Sequence, residues 1–319
     1  MNRETSITSL MSSFGRAFHS ENEEHPIFVD YLAKELMTTE EYDTVQAYIL
    51  DGARFFEPEI NTQDQKPIEI IKKIVNKHIA PSPLCRACYT EKTLKEAVIA
   101  GTKQYVILGA GLDTFAFREP ELLSKCKVFE VDKPLMQSDK LKRITRAGWS
   151  IPSNLSFVPV DFTNDNLLEC MLASGFDKSS KSFFSWLGVT YYLSAETIDA
   201  MLATLSKLCV QQSMLVFDYP DEHFFASDEK RVRNTIMMAK AGGEPMLSSF
   251  SHEKLEKLLN KNGFTIYKLM TPEDIQREII DGYSANIKAF ENVNYCLAVR
   301  KDNPEAIKNR KICDEHAKV

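Results

Sequence analysis

Residues Tyr105–Pro120 read YVILGAGLDTFAFREP, and the order of residue types in this stretch decides the fold. Four apolar residues, Tyr105 to Leu108, meet Gly109-Ala110-Gly111, and an acid, Asp113, follows. An unbroken apolar run is what a strand buried on both faces of a parallel sheet needs, whereas a strand with one wet face would alternate. Glycines directly after it permit positive φ and let the backbone come close to a ligand. The loop is G-x-G without a third glycine, since Thr114 stands in that place. Taken alone it is equally compatible with a structural turn.

Four more strand candidates follow: CKVFEVD (126–132), LSFVPVDF (155–162), SFFSWLG (182–188) and SMLVFDYP (213–220). Helical stretches lie between them, in PLMQSDKLKRITRAG, NDNLLECMLASG and AETIDAMLATLSKLC. Strands alternating with helices imply βαβ units and a parallel sheet covered on both faces. After residue 220 the alternation stops. Residues 221–250 are polar and glycine-containing and read as a partly helical lid insertion. SHEKLEKLLNKNG is a helix ending at Gly263, and FTIYKLM is a strand. TPEDIQREIIDGY opens with Thr271 as N-cap and Pro272 at the first helical position. NYCLAVRK (294–301) is the last strand. The expectation is an α/β fold, a doubly wound, seven-stranded, mostly parallel sheet.

Upstream, residues 1–60 read as helical, with HPIFVDYLAKELM and EEYDTVQAYILDGARFF as their anchored stretches; Tyr42, Val45, Ile49 and Phe56 recur at helical spacing. IEIIKKIVNKHIA is amphipathic and is expected to end at the breaker Pro81-Ser82-Pro83. EKTLKEAVIAGTK is a further helix, closed by Gly101. The expected organisation is one domain over 1–319. It comprises a helical cap (1–90), a cofactor-binding core (91–220), the lid (221–250), a completion of the sheet (251–301) and a charged, mobile tail (302–319).

The chain has 319 residues, enough for a large buried core, and its 44% hydrophobic and 26% charged content is that of a soluble globular protein. A net charge of −6 argues against a nucleic-acid partner bound through phosphate neutralisation. No apolar run approaches the roughly 18 residues of a membrane span. The N-terminus has no continuous apolar segment of the secretory kind, although its serines and threonines leave a transit peptide as an alternative to a cytoplasmic location, which is the expectation. Seven scattered cysteines do not form a disulfide framework. Cys85-Arg86-Ala87-Cys88 is a lone C-x-x-C with no second pair to complete a zinc site, so no metal is expected.

In a doubly wound sheet, ligands bind beyond the carboxyl ends of the strands. The first such end carries Gly109, Ala110, Gly111 and Asp113. The second carries Glu130 and Asp132, roughly 20 residues beyond the glycines, where an acid can accept from both ribose hydroxyls. Asp132 is the favoured acid, with Glu130 supporting it or standing as an ordinary strand-end charge. The third carries Asp161, able to accept from an exocyclic amino group, and Phe162, able to pack on a purine; a helix N-cap acid followed by a core aromatic is the alternative. The fourth carries Trp186, Tyr191 and Tyr192, candidates for an acceptor pocket or for the core. His223 reads as a loop histidine, and the residues single out no catalytic group. Together the three acidic and glycine-bearing ends indicate a nucleoside cofactor. Without the third glycine a pyrophosphate is held less well, and Asp113 would repel it. S-adenosylmethionine, with its cationic amino group, tolerates that acid. An NAD(P)-dependent oxidoreductase stays as the alternative.

QYVILGAGLDTFAFR, VFEVDKP and VPVDF together resemble the leucine carboxyl methyltransferase family, which includes bacterial O-methyltransferases of polyketide pathways. The resemblance runs from about Arg86 to Tyr219, with a fainter echo in GRAFHS and HPIFVDYLAKEL. It implies a Rossmann-like class I methyltransferase fold, S-adenosyl-L-methionine as cofactor, and transfer to a carboxylate or hydroxyl of a small-molecule or peptide acceptor. It also implies that Arg86 binds the methionine carboxylate, unless it is a solvated helix charge. Gly109 serves as the loop glycine, Asp132 as the ribose acid, and Asp161 with Phe162 as the adenine pair; Arg16 reaches the cofactor from the N-terminal part. One departure stands out. The family pattern after the fourth strand carries a glutamate where this chain has Leu187, within SWLGVTYYL. That change leaves a non-catalytic, cofactor-binding relative as a further alternative.

Overall fold

The structure, a computed structural model, describes residues 6–283 and 287–301. The tail expected to be mobile, 302–319, lies outside these residues. Seven strands form one sheet: β1 (Gln104–Leu108), β2 (Lys127–Asp132), β3 (Leu155–Pro159), β4 (Ser182–Trp186), β5 (Met214–Pro220), β6 (Phe264–Met270) and β7 (Val293–Arg300). Their order is β3-β2-β1-β4-β5-β7-β6. The first five are mutually parallel, and β7 runs antiparallel between β5 and β6.

The apolar runs are unbroken because each strand feeds two cores. Tyr105 and Ile107 of β1 join Val128, Phe183 and Val216 on one face, together with the N-terminal helices. Val106 and Leu108 join Phe129, Phe184 and Leu215 on the other. Successive side chains of a strand point to opposite faces, so a sheet covered on both sides favours apolar residues at every mid-strand position, and a polar one there, as at Glu130, Ser185 and Asp218, must find partners in the interior.

Among the described residues five α-helices precede the sheet: α1 (Ile7–Asn22), α2 (Thr39–Asp51), α3 (Ala53–Phe56), α4 (Pro67–Ile74) and α5 (Pro81–Ile99). Thr38 and Glu41 form a reciprocal capping box at the start of α2. α5 ends as its sequence requires. Gly101 takes φ +99°, its N–H bonds the Val98 carbonyl at 3.0 Å, and the Thr102 N–H bonds the Ala97 carbonyl at 3.0 Å, closing a Schellman motif.

Two expectations for this part are corrected. Residues 25–37 form turns instead of a helix. Side chains of α1 take over their backbone donors, His19 Nε2 accepting from the Ile27 N–H at 3.0 Å and Ser20 Oγ from the Asp30 N–H at 2.8 Å. The apolar pattern of the stretch reflects burial of Ile27, Ala33 and Leu36, which it shares with a helix. Pro81-Ser82-Pro83 does not separate two helices by a loop either. It forms the first turn of α5, where the N–H that proline lacks would have had no intrahelical partner anyway. A π-helical turn, Val75–Ile79, joins α4 to α5.

The 221–250 segment leaves the sheet after β5 and returns to it through a bridge between Asp221 and Phe250. It contains a helix, Lys230–Ala241. Buried Arg231 anchors this helix. It donates to the carbonyls of Lys77 (2.8 Å), Lys288 (3.0 Å) and Ala289 and pairs with Glu291. Lys77 lies in the π turn, so one guanidinium joins the segment to the N-terminal helices and to the approach to β7. Replacing Arg231 by Met leaves buried carbonyls without donors, at about 1–3 kcal/mol for each. Arg231→Met is therefore expected to lower unfolding free energy in urea by roughly 3 kcal/mol or more and to open residues 227–250 to limited proteolysis. A protease pattern identical to the parent's would refute this anchoring role.

Candidate active site

The strand order reverses between β1 and β4, which places their carboxyl ends side by side. A cavity of about 1780 Å³ opens there. β1 contributes its glycine turn. Gly109 adopts φ +77°, and a Cβ added there would overlap the Val189 side chain from the loop after β4. The N–H groups of Gly109 and Ala110 both donate to the Val131 carbonyl of β2, at 2.8 and 3.1 Å. The turn is thus tied to the neighbouring strand and wedged against the loop across the reversal, and only glycine fits.

Asp132 ends β2 with its carboxylate at the cavity wall. Oδ2 accepts the Gly111 N–H at 2.6 Å and Oδ1 the Lys133 N–H at 2.7 Å. Burial raises this carboxyl above the usual carboxylate range, with the two backbone donors opposing. An ionised carboxylate offers about four lone-pair sites, so two are spoken for and two stay open for a diol. Asp161 and Phe162 also border the cavity. Asp161 is engaged by its own loop: Oδ1 accepts from the Thr163 N–H and hydroxyl at 3.0 and 2.7 Å, and Oδ2 from Asn164 at 2.9 Å. The donors from Thr163 hold its carboxyl below the usual range.

The N-terminal helices supply three arginines, or their partners, to the same cavity. Arg16 of α1 pairs with buried Asp30 at 2.8 Å and donates to the Leu112 carbonyl at 2.8 Å, fastening the glycine turn from below. Thr114 donates to the same Asp30 at 2.6 Å. Arg118 grips Glu91 of α5 in a two-pronged pair, and burial pushes the Glu91 carboxyl up to about 7 against that pairing. Asp113 lines the cavity close by, its Oδ1 accepting the Phe115 N–H at 2.7 Å. Arg86, also of α5, lies at the far side of the turn. One of its N–H groups bonds Asp218 of β5 at 3.1 Å, and among the described residues its other donors have no hydrogen-bond partner. Asp218 draws the Arg86 pKa upward against the opposing effect of burial, which is the larger of the two influences individually. Cys85 and Cys88, on either side of Arg86, are free thiols.

The structure therefore gathers Arg16, Arg86, Gly109, Ala110, Gly111, Asp113, Asp132, Asp161 and Phe162 around one cavity. It does not bring Glu130 there. Glu130 points from β2 toward the helix Pro134–Arg146, where it pairs with Lys140 at 2.5 Å, both side chains 1% exposed. Trp186 is likewise outside: it is buried in the core of the opposite sheet face, while Tyr191 and Tyr192 line the cavity. His223 is surface-exposed. Asp30, Glu91, Arg118 and Asp218 were not singled out from the sequence. For Asp218 a signal existed, an acid inside the apolar strand MLVFDYP.

These residues fit S-adenosylmethionine. A glycine cradle admits close backbone approach, Asp132 keeps acceptor sites for a ribose, and Arg86 keeps donors for a carboxylate. The sheet topology is that of the class I methyltransferase fold. Residues 9–206 match the model of the leucine carboxyl methyltransferase family, and the chain belongs to that family. A Bacillus subtilis protein, YktD, whose name assigns it provisionally to the S-adenosyl-L-methionine-dependent methyltransferases, is 41% identical over 93% of this chain and 99% of its own. A Mycobacterium marinum protein with the same provisional assignment is 27% identical over 56% of this chain and 59% of its own. Among solved structures, a DUF574 family protein from Streptomyces avermitilis superposes with TM-score 0.52 at 14% identity, covering 78% of this chain and 97% of that one. A protein from Thermobifida fusca, provisionally titled a methyltransferase, gives 0.50 at 15%, covering 80% and 95%. At such identities the likeness is one of fold. The chain is an S-adenosylmethionine-dependent methyltransferase, and the oxidoreductase alternative is set aside. Among the described residues no helix is long and apolar enough to cross a membrane.

The two acids of β2 are expected to separate cleanly on substitution. Glu130→Gln strands a buried Lys140, which costs about 3–5 kcal/mol of folding stability, and leaves S-adenosylhomocysteine affinity near the parent's. Asp132→Asn should do the reverse, weakening S-adenosylhomocysteine by about ten-fold or more with a small change in stability. Calorimetric titration beside urea denaturation reads both, and a loss of affinity in Glu130→Gln at constant fold would contradict the assignment.

Proposed function

We propose that this enzyme is an O-methyltransferase that esterifies a carboxylate on a sizeable, largely apolar acceptor. The observation carrying this reading is the state of the basic groups around the cavity. His78 reaches its wall but is held by Glu57 at 2.7 Å, and burial lowers its pKa. Glu91 is gripped by Arg118. Glu244 accepts from the hydroxyls of Ser6 and Thr8. Tyr192 is pushed up to about 12, mainly by burial. These four groups, the ones nearest in kind to a general base, are thus engaged or too weakly acidic to serve, while Glu40 and Tyr48 of α2 line the outer part of the same cavity. A carboxylate needs none, because its nucleophilic oxygen is already deprotonated, whereas a phenol or alcohol gains from one.

When bound, S-adenosylmethionine supplies an electrophilic sulfonium methyl group, and the work left to the protein is alignment and exclusion of water. Arg86, Gly109, Asp132, Asp161 and Phe162 are the residues we assign to holding it, with Arg16 and Asp113 acting on the turn. The cavity exceeds the ~300–1,000 Å³ of an ordinary ligand site, which leaves room for an acceptor beside the cofactor. Apolar side chains form much of the wall on that side, Val45 and Tyr48 of α2, Phe55 of α3, and Met237, Met238 and Leu247 of the 221–250 segment, beside the polar Glu40, Thr44 and Glu244. We read that segment as a lid. It is clasped to the start of α1 through Glu244, and its methionines adapt to irregular apolar shapes.

The test uses straight-chain carboxylic acids of increasing length with S-adenosylmethionine, alongside alkylphenols of matching length. Ester products are expected, recognised by release of methanol in mild base, with kcat/KM rising about four-fold per methylene until the chamber is filled. Base-stable methyl ethers from the phenols, with no ester formed from any acid, would overturn the carboxylate reading. A flat dependence on chain length would overturn the apolar one.

A further inference from the structure

Asp218 is fully buried in β5, a strand whose other inward residues are apolar. A carboxylate is strongly disfavoured in such surroundings unless donors converge on it. Here they do. Oδ1 accepts the Gly188 N–H at 2.6 Å, and Oδ2 accepts from the Tyr191 hydroxyl at 2.9 Å and from Arg86 at 3.1 Å. The Asp218 carbonyl takes the Thr190 hydroxyl at 2.6 Å as well. One residue of β5 therefore gathers the turn after β4 and the cavity arginine of α5. The fit is close: Gly188 adopts φ +68°, and a Cβ there would overlap the Arg86 guanidinium. Leu187, next to that turn, is apolar and lines the cavity. The turn after β4 thus has no acid of its own, and the negative charge facing Arg86 comes from the neighbouring strand.

We propose that Asp218 is a positioning residue for methyl transfer. It fixes one edge of the Arg86 guanidinium and, with it, the Gly188–Tyr191 turn, so that the remaining edge is presented as a planar fork to the carboxylate of the cofactor. The inference rests on the reading of Arg86 as the ligand of that carboxylate. Asp218 is not part of the cavity lining and acts through Arg86. A guanidinium recognises carboxylate by two parallel hydrogen bonds, so its orientation matters as much as its charge.

The experiment is a double-mutant cycle on the full chain, with S-adenosylhomocysteine and 5′-methylthioadenosine as titrants. The second ligand keeps the nucleoside and the thioether and lacks the amino-acid carboxylate. Asp218→Asn is expected to weaken S-adenosylhomocysteine by about ten-fold or more and to leave methylthioadenosine unchanged. The double variant Arg86→Ala/Asp218→Asn should bind no more weakly than Arg86→Ala alone. Additive losses, or equal losses for both ligands, would overturn the positioning role. So would an unchanged affinity in Asp218→Asn while Arg86→Ala is weakened. An Arg86→Ala variant that binds S-adenosylhomocysteine normally would remove the underlying reading instead. If Asp218→Asn does not fold, Tyr191→Phe keeps the charge and removes one of its anchors. Its expected signature is a smaller loss, about two- to five-fold, again confined to S-adenosylhomocysteine, and parent-like affinity for both ligands would count against the proposal.

Discussion

Everything at the active site depends on the wedge between Gly109 and Val189. The sheet reverses its strand order there, so two loops that belong to different βαβ units must share one space. A left-handed residue on one side and a β-branched side chain on the other meet there so closely that no Cβ fits between them. The turn after β1 is then fixed from three directions: by Val131 through backbone hydrogen bonds, by Asp132 at Gly111, and by Arg16 at Leu112. A cofactor held by backbone contacts needs this rigidity, since main-chain groups cannot change rotamer to accommodate a loose fit.

Charge is managed around the same wedge by pairing across elements. Arg16 and Asp30 link α1 to the turns that follow it, Arg118 and Glu91 link the loop after β1 to α5, and Arg86 and Asp218 link α5 to β5. Pairs buried to this degree add little net stability, because desolvation offsets most of the attraction. Their effect is geometric. Two of them join the N-terminal helices to the sheet side, and the Arg16–Asp30 pair reaches it through Leu112 and Thr114; together they seat those helices over the carboxyl ends of the strands, where the cavity has to be closed.

The strands were legible in the sequence because a residue buried on both sheet faces leaves an unmistakable apolar run, and all seven candidates appear as strands. Caps were legible for the same local reason: Thr271 with Pro272, and Gly101, act on their immediate neighbours. What failed depended on neighbouring structure that a local residue pattern does not carry. HPIFVDYLAKELM has helix-like apolar spacing but loses its backbone donors to α1. Pro81 and Pro83 read as a stop, although the same residues serve as a start when a π turn delivers the chain to them. Glu130 and Asp132 share a strand face, and only the helix Pro134–Arg146, lying over one of them, separates a buried ion pair from a cavity acid. Asp218 meets Arg86 across 132 positions, a distance no motif spans.

The departure at Leu187 takes on a different meaning in this light. An acid on the loop after β4 would sit at the cavity wall, exposed to whatever enters. In this chain that position is apolar, and the carboxylate that faces Arg86 is set one strand over, with no exposed surface and with three donors on it. A charge held so cannot swing toward the acceptor, and it repels an incoming carboxylate less than one on the cavity surface, because Arg86 stands between. The arrangement keeps an arginine oriented without adding a carboxylate from the turn after β4 to the wall, and the acids Glu91 and Glu244 that do line it are held by Arg118 and by the hydroxyls of Ser6 and Thr8. That combination suits a methyltransferase whose acceptor is itself an anion.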